Sequence, residues 1–286
     1  MKFLISLALL FLFTCGQAQA RPEFFDNDKY KSFHYIFGAP QIVDKDKFEW
    51  TPPEDEYKRP GITILNRPGF VVGYYEKYKV PAWVSMRWTR YDFQKSYADK
   101  DRKYHEDFDL PWYTRAKPWL GGDQGNYHHG HMAMHLDNSA YGQKNLYDYG
   151  LRMTNLCPQE GDLNSKEWLQ LEKKHHNLVS SGQIKTIWII DGPIYEKNTS
   201  PKWIAGDIRI RIPDSFYKII AWFDSSKKLH AVAYIFDNKV EKVNLKDRIF
   251  PIKTIEEKTG LNFFPYAEDT DYHRELEAKA QLAPWD

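Results

Sequence analysis

Hydrophobic and polar positions along the chain change period several times, and each change marks an expected element. Ile62, Ile64 and Leu65 precede a turn at Arg67-Pro68-Gly69, and Phe70-Val71-Val72-Gly73-Tyr74-Tyr75 follows it, which reads as two short strands. Pro81 to Thr89 is rich in β-branched and aromatic residues and reads as a stronger strand. Ile184 to Ile190 is an unbroken apolar run ended by Asp191-Gly192-Pro193, the pattern of a buried strand. From Gly206 to Pro213 the pattern alternates, with Ile208, Ile210 and Ile212 expected inward and Arg209 and Arg211 outward. Phe216–Phe223 and Leu229–Phe236 flank Asp224-Ser225-Ser226-Lys227, a hairpin signature.

Helical spacing is rarer. Glu167 to Val179 places Trp168, Leu171, Leu178 and Val179 on one side, a short helix from Thr254 to Lys258 stops at Gly260, and residues 272–282 form a charged terminal helix. Residues 21–60 are polar, aromatic and punctuated by proline, the character of an extended arm, and 91–126 read as a charged loop. With no internal repeat or linker, the pattern predicts one α+β domain with a central, mainly antiparallel sheet flanked by helices.

Charge and cysteine content narrow the class. The chain carries 40 Lys+Arg against 39 Asp+Glu, so any phosphate-binding surface must be a local patch. Lys2, the apolar run Phe3–Phe13 and Ala18-Gln19-Ala20 form an export signal over 1–20, too short to span a bilayer. The expected organisation is a signal peptide at 1–20, an N-terminal extension with the first strands at 21–79, and the main domain at 80–286. The product is expected outside the cytoplasm, secreted or periplasmic, with no membrane span. Cys15 lies in the signal, which leaves Cys157 alone as a small buried hydrophobe.

The chemistry concentrates in Tyr127-His128-His129-Gly130-His131-Met132-Ala133, three histidines in four positions. A second strand and a helix bearing Asn164, Trp168 and Glu172 follow, spaced i, i+4, i+8 and so on roughly one face. An amide oxygen with waters suits a hard cation such as Mg²⁺. An imidazole, with an ordinary pKa of about 6.5, can take a proton from water at neutral pH. Base, cation and attacking water are the parts of metal-assisted phosphodiester hydrolysis, and the strand–strand–helix order is that of a ββα-metal nuclease site. Each residue also has a plainer role. Asn164 suffices as a helix N-cap, Glu172 as an exposed helix charge, and Arg102 and the pair His175-His176 as solvated surface. His128 and His129 also suit a transition metal. The His131/His135 spacing lacks the glutamate of a zinc peptidase, because Met132 stands in its place.

The ordered motif set resembles the DNA/RNA non-specific endonucleases. It comprises Gly130-His131-Met132-Ala133; Met153-Thr154-Asn155 with Pro158-Gln159; Asn164 with Trp168, Leu171 and Glu172; Trp188-Ile189-Ile190-Asp191-Gly192-Pro193-Ile194-Tyr195; Ile212-Pro213 with Phe216-Tyr217-Lys218; and Ile255 to Leu261 with Phe263-Phe264-Pro265. The resemblance covers roughly residues 80–266. It implies that His131 is the general base, Asn164 the direct ligand of Mg²⁺ (or Mn²⁺), and Glu172 a holder of the metal's water shell. Arg102 would contact the scissile phosphate, and Asn155, His128 and His129 would lie at the substrate. DNA or RNA is the implied partner, with a homodimer left open. The family's Asp-Arg-Gly-His is here His128-His129-Gly130-His131, so His129 stands where an arginine would stabilise charge. Losing such a donor typically costs about 10²–10³ in rate. Two alternatives follow: a weakened or inactive member that binds nucleic acid or nucleotides, and a phosphodiesterase for small nucleotides.

Overall fold

The computed structural model describes residues 34, 36–51, 59–93, 103–119, 126–134, 148–204, 209–239, 242–267 and 270–285. The export signal, Arg102 and His135 lie outside the described residues. The strands are β1 (Gln41–Ile42), β2 (Glu49–Trp50), β3 (Arg59–Pro60), β4 (Ile62–Asn66), β5 (Val71–Tyr75), β6 (Val80–Thr89), β7 (Tyr127–His131), β8 (Leu156–Glu160), β9 (Thr186–Ile194), β10 (Lys202–Trp203), β11 (Arg211–Ile212), β12 (Ser215–Phe223), β13 (Leu229–Asp237) and β14 (Leu261–Asn262). The helices are α1 (Lys45–Phe48), α2 over 161–180, α3 (Ile252–Thr259) and α4 (Asp271–Ala278).

Six strands form the central sheet in the order β13-β12-β9-β6-β5-β4, each pair antiparallel. The α+β architecture expected from the pattern is therefore present. Alternation along the strands divides the core in two. Val84, Met86, Ile187, Ile189, Phe216 and Ile220 face one layer, which holds α2 and the β7-β8 pair. Ala82, Trp188, Ile190, Ile219, Ala221 and Ala233 face the other, with residues of α3 and α4. The N-terminal segment is tied to this second layer where β1 pairs with β14.

Three expectations are corrected. β9 runs through Asp191-Gly192-Pro193 to Ile194, pairing with β12 along its length, rather than ending at Ile190. Proline is tolerated there because β6 pairs with β9 only as far as Asp191, so at Pro193 the β6 side carries no ladder. Of the alternation assigned to 206–213, residues 206–208 lie outside the described residues; Ile210 and Ile212 are buried as expected, but Arg211 in β11 is also buried, at 7% exposure, rather than outward. His175 is buried on α2, at 2% exposure, rather than solvated. It falls in the stripe Trp168, Leu171, His175, Leu178, whose spacing points all four into the core.

Candidate active site

β7 and β8 pair with His131 opposite Leu156 and His128 opposite Gln159. Strand alternation sends His129 and His131 to one side and His128 to the other. Gly130 has a steric reason: a Cβ there would stand 2.5 Å from the Gln159 side chain, which lies across it. Gln159 is fully buried, and neither end of its amide has a hydrogen-bond partner among the described residues. Such a group next to His128 and Gly130 is available to an ordered water or a ligand. The sequence reading used Gln159 only as a motif letter.

On the His129 side two aromatic rings build a slot. The imidazole is stacked between Trp119 and Tyr104, with centroids 3.8 and 4.2 Å away and planes within 15°. Tyr104 also meets His131, at 5.9 Å between centroids. The segment carrying these rings is anchored by ions. Asp107 accepts from Arg67 (2.6 Å), Arg152 (2.8 Å) and Thr154 (2.6 Å). Both guanidinium groups lie over Tyr149, at 4.9 and 4.3 Å. Burial alone would raise the Asp107 pKa, but Arg67, Thr154 and Arg152 hold it below the ordinary carboxylate range. Neither Tyr104, Trp119 nor this network was singled out from the sequence, because no short motif joins residues 67, 107 and 152.

The turn after His131 is fixed by Asn155. Its Oδ1 accepts from the Ala133 N–H at 2.7 Å, and its Nδ2 donates to the carbonyls of Ala133 (2.9 Å) and Gly150 (3.1 Å). Both amide hydrogens are thus occupied and the side chain is fully buried, so the structure gives Asn155 a positioning place behind His131.

α2 begins four residues before the expected cap at Asn164. Glu160 is the N-cap, its Oε2 accepting from the N–H groups of Asp162 (2.8 Å) and Leu163 (3.0 Å), while Asn126 donates to Oε1 at 2.6 Å. The helix then runs Gly161–Leu163, a π-helical turn Asn164–Trp168, and Leu169–Ser180. Asn164 sits half-exposed at the start of the π turn, its Nδ2 3.4 Å from His128 Nδ1. A π turn in an otherwise regular helix is found most often at functional sites.

Glu172 is not an exposed helix charge. It is buried one turn beyond Trp168, over the sheet face where Lys218 and Asp191 are cross-strand partners. Lys218 donates to Asp191, and its ammonium stands 4.2 Å from the Trp168 ring centre. Burial pushes the Glu172 carboxyl up to about 7, against the pull of Lys218 and with help from Asp191. Burial likewise raises Asp191 to about 6, opposed by Lys218. His175 is held well below its ordinary pKa by burial, then by Lys218 and His176, and neither of its nitrogens has a hydrogen-bond partner among the described residues. The Cys157 thiol is buried and pushed well up, as an unreactive core residue should be.

Among the described residues no group of three His, Cys, Asp or Glu side chains is placed to hold a metal ion. His128 and His129 diverge to opposite sides of β7, so they do not converge on a transition metal. The donor that remains, the half-exposed neutral amide oxygen of Asn164, fits a hard cation that keeps most of its water.

Two paired strands carrying a histidine at their end, followed by a helix bearing an asparagine, define a ββα nuclease-type unit. Residues 54–270 match the family model for DNA/RNA non-specific endonuclease, and the chain belongs to that family. It is 27% identical to a nuclease of Serratia marcescens over 134 residues, 46% of this chain and 49% of that protein, so about half of that relative is spanned. It is 25% identical to mitochondrial endonuclease G of Bos taurus over 224 residues, covering 73% of this chain and 72% of that protein. A solved EndoG/EndoGI complex shares the fold, with a TM-score of 0.62 at 19% identity over 83% of this chain and 92% of the other. No helix among the described residues is long and apolar enough to cross a membrane.

Proposed function

We propose that this chain is an exported, divalent-metal-dependent endonuclease that hydrolyses phosphodiester bonds in DNA or RNA. One observation carries the reading: in a chain of this family, His131 ends β7 and the half-exposed Asn164 opens the π turn of the helix that follows β8. His131 takes the proton from the attacking water, and the Tyr104 ring beside it and the Asn155 clamp behind it fix its position. Asn164 supplies the ligand oxygen to Mg²⁺ or Mn²⁺, and the bound ion would neutralise charge on the phosphate oxygens. Glu172 holds a proton or a charge according to pH near neutrality, and in the charged form it orients water toward Asn164. His128 and His129 line the substrate side, and Arg102 contacts phosphate. Export rests on the leader at 1–20, and assembly as a homodimer is part of the same proposal.

The replacement of the family's arginine by His129 favours a second reading, a nucleic-acid-binding member with little catalysis. The slot decides between them physically. A guanidinium plane stacks between aromatic faces as an imidazole does and adds a permanent charge. His129→Arg therefore fits between Trp119 and Tyr104 and should raise the rate of an active enzyme roughly 10–100-fold. The test is degradation of plasmid and RNA by the chain from Arg21 in Mg²⁺, Mn²⁺ or EDTA between pH 5 and 9. Cleavage that needs metal and is lost in His131→Ala and Asn164→Ala supports the enzyme. Binding without cleavage, in both the parent and His129→Arg, would replace it with the binding protein.

A further inference from the structure

A second site lies where the β5-β6 turn, the end of β9, β11 and the C-terminus of α3 meet. A pocket of about 360 Å³ opens there, and it shares no residue with the His131/Asn164 site. That volume is at the lower end of the range for small-ligand sites, roughly 300–1,000 Å³. Its distinctive wall residue is Arg211. Arg211 is buried, at 7% exposure, and no carboxylate pairs with its guanidinium group among the described residues. It lies against the Tyr78 and Tyr195 rings, at 4.5 and 4.7 Å, which themselves meet edge to face at 4.8 Å, and it donates one bond to the Tyr78 hydroxyl at 2.6 Å. Its Nε–H is buried with no acceptor among the described residues.

A buried cation without a counter-ion is destabilising, and cation–π contact offsets only part of that cost. The remaining lining does not balance it. Lys47, Lys77, Lys197 and Lys258 add four cations, against the lining carboxylates of Asp46 and Glu196 and the neighbouring Asp44, which pairs with Lys47 (3.9 Å) and Lys197 (3.7 Å) rather than with Arg211. Glu196 is already paired with Lys258 at 2.7 Å. The missing component is an anion, and a guanidinium fork matches a phosphate geometrically. The aromatic part of the ligand is also provided for. Tyr75 meets Tyr78 in a tilted contact, and Trp203, 39% exposed and beside the lining rather than in it, meets Tyr78 edge to face at 5.9 Å, which puts an indole next to Tyr78 for a flat ring.

We propose that this pocket binds a nucleoside monophosphate, with the phosphate on Arg211 and the base against the Tyr78/Trp203 wall. The site is independent of the metal-dependent chemistry proposed above and is tested without it. Adenosine 5′-monophosphate, adenosine, inorganic phosphate and a single-stranded oligonucleotide are titrated in EDTA into the full chain and followed by calorimetry. The monophosphate should bind, and adenosine should bind at least tenfold more weakly. Arg211→Met should weaken the monophosphate at least tenfold, and Lys197→Glu, at a side chain 74% exposed, should weaken it severalfold. If Arg211→Met does not fold, Lys197→Glu and Lys77→Glu carry the test. No binding, or binding that these variants leave unchanged, overturns the proposal. So does adenosine matching the monophosphate, or binding of the oligonucleotide alone, which would make the pocket a strand contact.

Discussion

Two clusters of charge are buried in this molecule, and they have opposite character. In the first, Arg67 and Arg152 face Asp107 and Asp109, and every oxygen of Asp107 accepts at least one hydrogen bond. In the second, one cation, Lys218, serves both Asp191 and Glu172, and Asp191 Oδ1 is buried with no partner among the described residues. Asp107 is accordingly held acidic, while Asp191 and Glu172 are pushed toward neutrality. Burial is common to both, so it is not what separates them. The number of cations and hydrogen bonds per carboxylate decides whether a buried acid is an anchor or a titrating group. The anchored cluster lies under the ring slot of His129. The titrating one lies under the helix that carries Asn164.

Removing the single cation should have the largest effect. Lys218→Met leaves two acids without a counter-charge and should cost about 3–5 kcal/mol in urea unfolding. Lys218→Met with Asp191→Leu should recover most of that loss, because an apolar pair of similar volume is often neutral. If the double variant is no better than the single, the pair is stabilising in its own right.

Asp107→Asn should cost less, about 2–3 kcal/mol, because Arg67 and Arg152 keep the half-exposed Asp109. The same variant should loosen the segment bearing Tyr104 and Trp119. Hydrogen exchange at residues 103–119 checks this, and unchanged protection would show that the rings, not the ions, hold the segment.

The third effect is a pH slope. His175 has a lowered pKa in the folded state, so below about 6.5 the unfolded chain takes up a proton that the folded chain does not. The stability it contributes is present above that pH and is lost as pH falls, by about 1.4 kcal/mol per unit until the folded imidazole titrates. Asp191 and Glu172, whose pKa values are raised to about 6 and about 7, act the other way, since they bind protons in the folded state first. Comparing the parent with His175→Leu from pH 7 to 5 isolates the histidine. Parallel curves would mean that the ring is hydrated.

The central sheet was legible in the sequence wherever apolar residues marked the buried face, as in β6, β12 and β13. The ordered spacing also singled out His131 and Asn164 as candidates, which lie at the end of β7 and the start of the π turn. What escaped was charge at inward positions. Asp191 shares parity with Ile187 and Ile189, and Lys218 with Phe216 and Ile220, so both sit on an apolar face by register. Polarity nonetheless made Asp191 look like the end of a strand, and it likewise made Arg211 look outward and His175 solvated. Periodicity was the stronger signal for Asp191 and His175; at Arg211 it failed as well, since Ile210, Arg211 and Ile212 are all buried. The start of α2 was missed for another reason: Glu160 is an uncommon N-cap, and it is also the last residue of β8.

The π turn at Asn164–Trp168 frees the site's register from one residue of chain length. In a regular α-helix, residues 164 and 172 would be about 80° apart around the axis. One extra residue in a turn winds the register back by about 100°, which leaves them about 20° apart on the other side. The helix thus acts as a vernier between the exposed amide and the buried carboxyl. Deleting Ser165 would give a more regular helix and a longer run of ordinary hydrogen bonds. It would leave Asn164 in nearly the same phase relative to the carboxyl, because seven regular steps also bring the two about 20° apart. The π turn thus lets the helix carry one residue more without turning the amide away from the carboxyl's side.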